Sequence, residues 1–324
     1  MMKLGKTYLC RYAHQDDDVP AGWVSQPMGG HHGANGYVLW SKEVPDSPYK
    51  LPEGNVQISF SGGRTSAYML HEILQANGDL PERCKVLFQN TGREMPQTLD
   101  FVNECAHRWG VDIIWLEYDR VNGKPTFKQV DYESASMFGE PFELLVQAKK
   151  VLPNTLMRFC TVELKINTAK RYLKSIGWET WQNAVGIRAD EPNRFKKAPK
   201  KDCWVPWRPL VDAGVHSRMI ADFWDRQNFR LNLPVVNGKT MYGNCDGCFL
   251  KSESQLAMLA KDYPSKLDWW IRLEKMHEHR GDYGFFNKSR PLAPMKEFVE
   301  MQQDWVFDEV GYFCQADGGE CTGD

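Results

Sequence analysis

The sequence has no long apolar run and no excess of charge of either sign. No stretch approaches the roughly 20 consecutive apolar residues that a membrane-spanning helix needs. The opening Met1-Met2-Lys3-Leu4-Gly5-Lys6 lacks the apolar core of a secretory signal. Both absences predict a cytoplasmic chain with no membrane partner. Lysine and arginine number 40 against 42 for aspartate and glutamate, a formal net charge of −2. No global field therefore draws the chain toward nucleic acid or lipid headgroups, although a local basic groove is compatible with that balance. Internal repeats and low-complexity tracts are missing too. What is present is length, because 324 residues bury a large core and exclude a small stapled scaffold.

Nine cysteines are an odd number. In a reducing compartment they read as free, catalytic or metal-bound thiols rather than disulfides. Only Cys245 and Cys248 form a C-x-x-C, in a turn with Gly243-Asn244 ahead and Phe249 behind. Cys84 and Cys105 fall on a strand and a helix face and read as core.

Residues 1–50 are rich in Gly, Pro, Asp and His, show no sustained period and read as an irregular lead-in; His31-His32 reads as an exposed loop. From Asn55 the pattern changes. Val56 to Phe60 is a strand, Ser61 to Arg64 a turn, and Thr65 to Gln75 a helix. A second cycle runs from a strand at Cys84–Phe88 to a helix opening at Pro96 and closing at Gly110. Val111–Leu116 and Trp181–Ile187 read as further strands. Strands alternating with helices predict an α/β domain over residues 51–212, with a parallel sheet and ligands at the strands' C-terminal ends. Residues 213–324 read as a helical region, with capping boxes at Ser252-Glu253-Ser254-Gln255 and Ser265-Lys266-Leu267-Asp268. The Trp269-Trp270 pair reads as packing.

Ser61-Gly62-Gly63-Arg64-Thr65-Ser66 follows the first of these strands and opens a helix. Backbone N–H groups, three hydroxyls and the helix N-terminus there suit a phosphate, and glycine lets it approach. The spacing is neither G-x-x-x-x-G-K-[ST] nor G-x-G-x-x-G. A tight strand-to-helix turn with a Ser/Thr cap is the alternative.

This loop resembles the S-G-G-x-[DT]-S signature of the PP-loop superfamily, whose loop holds the phosphates of ATP or of an adenylyl sulfate. Asn90-Thr91-Gly92-Arg93-Glu94-Met95-Pro96-Gln97-Thr98 resembles the D-T-G-x-x-x-P-E-T segment of phosphoadenosine phosphosulfate (PAPS) reductases, with Asn90 replacing the family's Asp. Arg158-Phe159-Cys160-Thr161-Val162-Glu163-Leu164-Lys165 is similar to that family's Arg/Cys/Lys segment and closer to DNA-phosphorothioation sulfurtransferases. Gly186-Ile187-Arg188-Ala189-Asp190-Glu191, with Arg194, resembles G-x-R-x-x-E-x-x-R.

The resemblance implies a five-stranded parallel Rossmann-like sheet, of the adenine nucleotide alpha hydrolase type, with a helical, cysteine-bearing C-terminal part. It implies a nucleotide, ATP or PAPS or adenosine phosphosulfate, held by Ser61, Gly62, Gly63, Arg64, Thr65, Ser66, Asn90, Thr91 and Gly92. Arg158, Lys165, Arg188, Asp190, Glu191 and Arg194 become the catalytic set, offsetting negative charge at phosphorus or sulfur. For Arg64 and Lys170 a surface ion pair is the favoured reading. The resemblance also makes Cys160 a third ligand beside Cys245 and Cys248, with Cys314 as fourth and Cys203 in reserve. Such a site suits a [4Fe-4S] cluster, with zinc as the alternative. Glu320-Cys321-Thr322-Gly323 matches the C-terminal Glu-Cys-Gly of sulfonucleotide reductases only in part, and reads as a tail.

The expected function is sulfur chemistry on an adenine nucleotide. One version is ATP-dependent adenylation and sulfur transfer, with a sulfur donor and a nucleic-acid substrate as partners; the other is sulfonucleotide reduction with a thiol reductant. A non-catalytic nucleotide- and metal-binding regulatory module of a DNA-modification or phage-encoded complex is the alternative. Basic-aromatic stretches at Arg194-Phe195-Lys196-Lys197 and Lys200-Lys201-Asp202-Cys203-Trp204 suit a nucleic-acid backbone, or a solvated loop.

Overall fold

A computed structural model of the chain describes residues 7–19, 23–27, 35–44, 47–195, 202–236 and 239–301. His31, His32, Lys196, Lys197, Lys200, Lys201, Cys314 and Cys321 lie outside the described residues, so nothing structural attaches to the expectations made for them.

Regular structure begins earlier than expected. β1 (Thr7–His14), β2 (Val24–Pro27) and β3 (Tyr37–Val44) form an antiparallel sheet in the order β1-β3-β2. The glycine, proline and aspartate of this region fall largely in the connections. The strands carry Tyr8, Leu9, Tyr12, Tyr37, Val38 and Trp40, residue types that fit a pleated surface. The irregular reading of residues 1–50 is corrected accordingly.

The alternation of strand and helix then follows the sequence. β4 (Val56–Ser59) buries Val56 and Ile58 and leads through the glycine loop into α1 (Arg64–Asn77). The apolar face of α1, Ala67, Met69, Leu70 and Ile73, is buried, and Gly78 at φ 72° ends it. β5 (Cys84–Asn90) leads into α2 (Pro96–Trp109), which opens at Pro96 and ends on left-handed Gly110. β6 (Ile113–Val121) and β7 (Lys124–Val130) form a hairpin through Asn122-Gly123, both at positive φ. After α3 (Glu140–Lys149), a π-helical segment (Thr161–Asn167) runs into α4 (Thr168–Ser175). β8 (Trp181–Ala184), α5 (Pro192–Phe195) and β9 (Trp204–Trp207) complete the sheet.

Its order is β7-β6-β5-β4-β8-β9, six strands rather than five, with the β6/β7 pair antiparallel and the others parallel. The chain moves outward from β4 through β5 and β6, then returns to the other side of β4 at β8. That reversal opens a crevice at the C-terminal ends of the strands, and the glycine loop sits in it.

One face of the sheet packs Val56, Ile58, Val86 and Phe88 into the large core, together with Leu256 and Trp270 from the helical region. The other packs Leu87, Ile114, Leu116 and Trp181 under Ala169, Tyr172 and Leu173 of α4. The helical region comprises α6 (Pro209–Asp212), α7 (Ser217–Asp225), the short hairpin β10 (Val235–Val236) and β11 (Lys239–Thr240), α8 (Glu253–Asp262), α9 (Pro264–His277), a 3-10 segment (Glu278–Gly284) and α10 (Leu292–Met301). Ser252 and Gln255 form the expected capping box on α8. The box expected at Ser265 is absent, because Pro264 supplies the first turn and Ser265 lies inside α9.

Candidate functional site

The glycine loop is framed from within. Ser61 N donates to Ser66 Oγ at 3.1 Å, and Ser66 Oγ donates to Gly63 O at 3.0 Å, which leaves Ser61 Oγ to donate across 2.9 Å to Ser66 Oγ. No side chain caps the N-terminus at Gly63, and first-turn N–H groups have no intrahelical acceptor. This end of α1 is thus shaped for an anion. Gly62 has φ 77°, and a Cβ there would lie 2.6 Å from Thr98 Cγ2 on α2. Its glycine is required by packing as well as by any phosphate.

Arg64, expected as a surface ion pair, is half-buried at the start of α1. Burial lowers its guanidinium's affinity for a proton; Asp225 opposes that shift and the neighbouring charge of Arg188 adds to it. Lys170, by contrast, makes the expected pair, 2.6 Å from Asp202.

The loop after β5 is engaged with the protein itself. Asn90 Nδ2 donates to Glu117 Oε1 at 2.7 Å and to Ser136 O at 2.8 Å, while its Oδ1 accepts from Gly92 N at 3.0 Å. Thr91 donates through N and Oγ1 to the Glu94 carboxylate, and its Oγ1 lies 3.3 Å from Cys245 Sγ. Burial pushes the Glu94 carboxyl above the usual carboxylate range, against the opposing pull of Lys165 and the Thr91 bonds. Arg93 binds Asp246 at 2.7 Å, both side chains almost wholly buried. Trp270 Nε1 and Gly247 N donate to the same carboxylate at 2.7 and 2.8 Å, and the Arg93 guanidinium lies 4.4 Å from the Trp269 ring centre. This network carries the cysteine turn to the end of β5. The sequence reading gave Arg93, Glu94, Glu117 and Asp246 no role. Charged residues inside a strand-to-helix loop and between two cysteines were the available signal.

The remaining candidates come from two places. Arg158 and Cys160 lead into the π-helical segment that carries Lys165 and packs on β5 and β6; π-turns within helices often mark functional sites. Arg158 Nε is buried without a hydrogen-bond partner. Arg188 and Arg194 are paired with the acids between them: Arg188 Nε to Asp190 at 2.8 Å and Arg194 Nη1 to Glu191 at 2.8 Å. Against the penalty of burial, the Ser217 N–H and Arg188 hold Asp190 below the usual carboxylate range. The two acids thus position the two arginines.

The cysteines do not assemble a metal centre among the described residues, where no three His, Cys, Asp or Glu side chains are grouped to hold an ion. Cys160 and Cys245 pack against the large core, whereas Cys203, the reserve ligand, packs with Trp204 in the opposite layer. Cys84 and Cys105 are core residues, as expected.

A mostly parallel sheet with a Ser-Gly-Gly loop at its switch point defines an adenine-nucleotide-binding α/β protein of the PP-loop kind. The sequence model of the phosphoadenosine phosphosulfate reductase domain matches residues 55–232, and the chain belongs to that family. Over 213 residues it is 30% identical to the "uncharacterized nin region protein ORF290" of Escherichia phage lambda, covering 63% of this chain and 69% of that one. It is 25% identical over 283 residues to the "uncharacterized 37.8 kDa protein in gpa 5′region" of Escherichia phage 186, covering 75% and 82%. Among solved structures, the phosphoadenylyl-sulfate reductase of Candida auris in a phosphate complex aligns at 15% identity and a TM-score of 0.36, over 55% of this chain and 78% of that one. The family acts on adenine-nucleotide substrates. No described helix is long and apolar enough to cross a membrane.

Proposed function

We propose that the chain is an adenine-nucleotide-dependent enzyme of sulfur chemistry that holds the phosphate end of its substrate at Ser61–Ser66. One observation carries the reading: the Ser-Gly-Gly loop, closed on itself by the Ser61–Ser66 hydrogen bonds, opens α1 at Gly63 with no side chain capping that N-terminus. Free first-turn N–H groups at such an end suit the oxygens of a phosphate. Asp190 and Glu191 orient Arg188 and Arg194 toward it, while Arg158 and Lys165 approach from the π-helical segment.

The preferred reaction is ATP-dependent adenylation and sulfur transfer, a preference that rests on the likeness of Arg158-Phe159-Cys160-Thr161 to sulfurtransferases. An acceptor oxygen attacks the α-phosphorus, pyrophosphate leaves with the bonding pair, and the acceptor's proton passes to a base. A donor of the persulfide class then displaces AMP, and a thiol reductant cleaves the resulting S–S bond.

The test is an assay of the purified protein with ATP and a nucleic-acid acceptor, and separately with PAPS and a dithiol. Pyrophosphate formed only when the acceptor is present supports adenylation. Sulfite from PAPS replaces that reaction with sulfonucleotide reduction. Nucleotide binding with neither product leaves the regulatory-module reading in its place.

A further inference from the structure

Two glutamines stand on the same face of the sheet, one strand apart. Gln57 on β4 is fully engaged: its Nε2 donates to Ser59 Oγ at 3.1 Å and its Oε1 accepts from Trp181 Nε1 at 2.9 Å. Gln89, the penultimate residue of β5, pairs in register with Leu116 of β6. It shares a face with Leu87, which packs under α4. Its carboxamide Nε2 is buried and has no hydrogen-bond partner.

The strand register sets Gln89 next to the phosphate loop. Ser59 is in register with Leu87 and Phe60 N donates to Leu87 O at 2.9 Å, so continuing the ladder sets Ser61 beside Gln89. The π-helical segment packs on β5 over the same edge. Two other arginines bury a donor without a partner, Arg158 Nε ahead of the π-helical segment and Arg208 Nε just past the C-terminal end of β9. A buried donor with no acceptor is costly, and it persists where a ligand supplies the acceptor.

We propose that Gln89 is a ligand-reading residue of the nucleotide site: its Nε2–H donates to a phosphate or sulfate oxygen of the bound nucleotide. This rests on the nucleotide reading given above and adds to it a neutral donor among the arginines. A neutral amide favours an oxygen acceptor without demanding further charge, and in this fixed position it discriminates ligands by where their oxygens lie.

The test compares the unaltered chain with Gln89→Leu, which removes the donor at similar volume, and Gln89→Glu, which puts a charged acceptor in the same shape. Calorimetric titration uses adenosine, AMP, ATP and adenosine phosphosulfate, at a temperature where all three proteins are folded. Gln89→Leu is expected to weaken the phosphate-bearing ligands about tenfold, leave adenosine unchanged, and not lower the ligand-free Tm. Gln89→Glu is expected to weaken them further, through repulsion. Equal affinity of the unaltered chain and Gln89→Leu for ATP and adenosine phosphosulfate overturns the proposal, whatever the Tm. An equal loss for adenosine overturns it too, because the acceptor then lies on the nucleoside. If the unaltered chain binds none of the four, the nucleotide reading itself fails first.

Discussion

The two sides of the sheet's C-terminal edge treat buried polarity in opposite ways. On the cysteine-turn side, Asp246 accepts from Arg93, Trp270 and Gly247, with Lys266 3.5 Å away, so its charge is matched within the protein, although Trp269 Nε1 is buried there without a partner. On the other side, Gln89 Nε2, Arg158 Nε and Arg208 Nε are buried donors with no hydrogen-bond partner. A satisfied buried network fixes one arrangement of the chain; a set of unsatisfied donors marks where something else completes the arrangement. The cysteine turn is therefore anchored within the protein, while on the proposed nucleotide reading the loop side gains its missing partners with the ligand.

Breaking the satisfied side should have the largest effect. Asp246→Ala strands the Arg93 guanidinium in the core and is expected to cost about 4 kcal/mol of stability in denaturant unfolding. The double change Asp246→Leu with Arg93→Met removes both charges and should cost far less. If the single change costs under about 1 kcal/mol, the network does not anchor the turn.

Glu274 sharpens the contrast from within the helical region. It accepts from Phe286 N and Leu292 N at 3.2 and 3.0 Å with no cation beside it, and burial pushes its pKa up to about 7 against those two bonds. Its ordinary value is 4.5, so the folded chain holds this proton more tightly than the unfolded one. Stability from this group is complete below pH 4.5 and falls as pH rises through 7, by on the order of 3 kcal/mol. Glu274→Gln should flatten that slope, being less stable than the unaltered chain at pH 5 and no less stable at pH 8. Parallel slopes in unfolding experiments across that range would remove Glu274 as the cause.

On the loop side, Gly62→Ala forces a Cβ toward Thr98 at φ 77°. The expected cost is about 2 kcal/mol, together with loss of ATP binding, because α2 and the loop cannot both keep their places. Intact ATP affinity in a destabilised Gly62→Ala chain would show that the loop's shape is not what the ligand reads.

The sequence made these two sides unequally legible. Ser61–Ser66 was readable because glycine and hydroxyl spacing encode a local backbone shape, and α1 and α2 followed from their apolar faces and, for α2, the punctuation at Pro96 and Gly110. β7 was missed although Asn122-Gly123 announced its hairpin, since its burial alternates poorly at a sheet edge. β9 was missed because Pro206 sits inside it, tolerated only because this strand too is an edge. The Arg93–Asp246 contact spans 153 residues of sequence, and no local period encodes such a pairing. Arg188 and Arg194 were found as cations, but their neutralising partners were visible only as neighbours in sequence, without direction.

The smallest expected effect separates a cation that serves the site from one that does not. Lys170 and Asp202 are both partly exposed and pair at 2.6 Å on the far side of α4 from the large core. Exposed pairs contribute little because water screens them and two long side chains lose freedom. Lys170→Ala should cost about 0.5 kcal/mol and leave ATP affinity unchanged, whereas Arg188→Ala should weaken ATP at least tenfold with a comparable stability loss. Measured by calorimetry at two salt concentrations, the Arg188 effect should shrink with salt less than an exposed pair would, because its guanidinium is largely shielded from solvent. Equal affinities for the two variants would mean that the loop side binds its anion without Arg188, and that the pairing of Arg188 with Asp190 serves the fold alone.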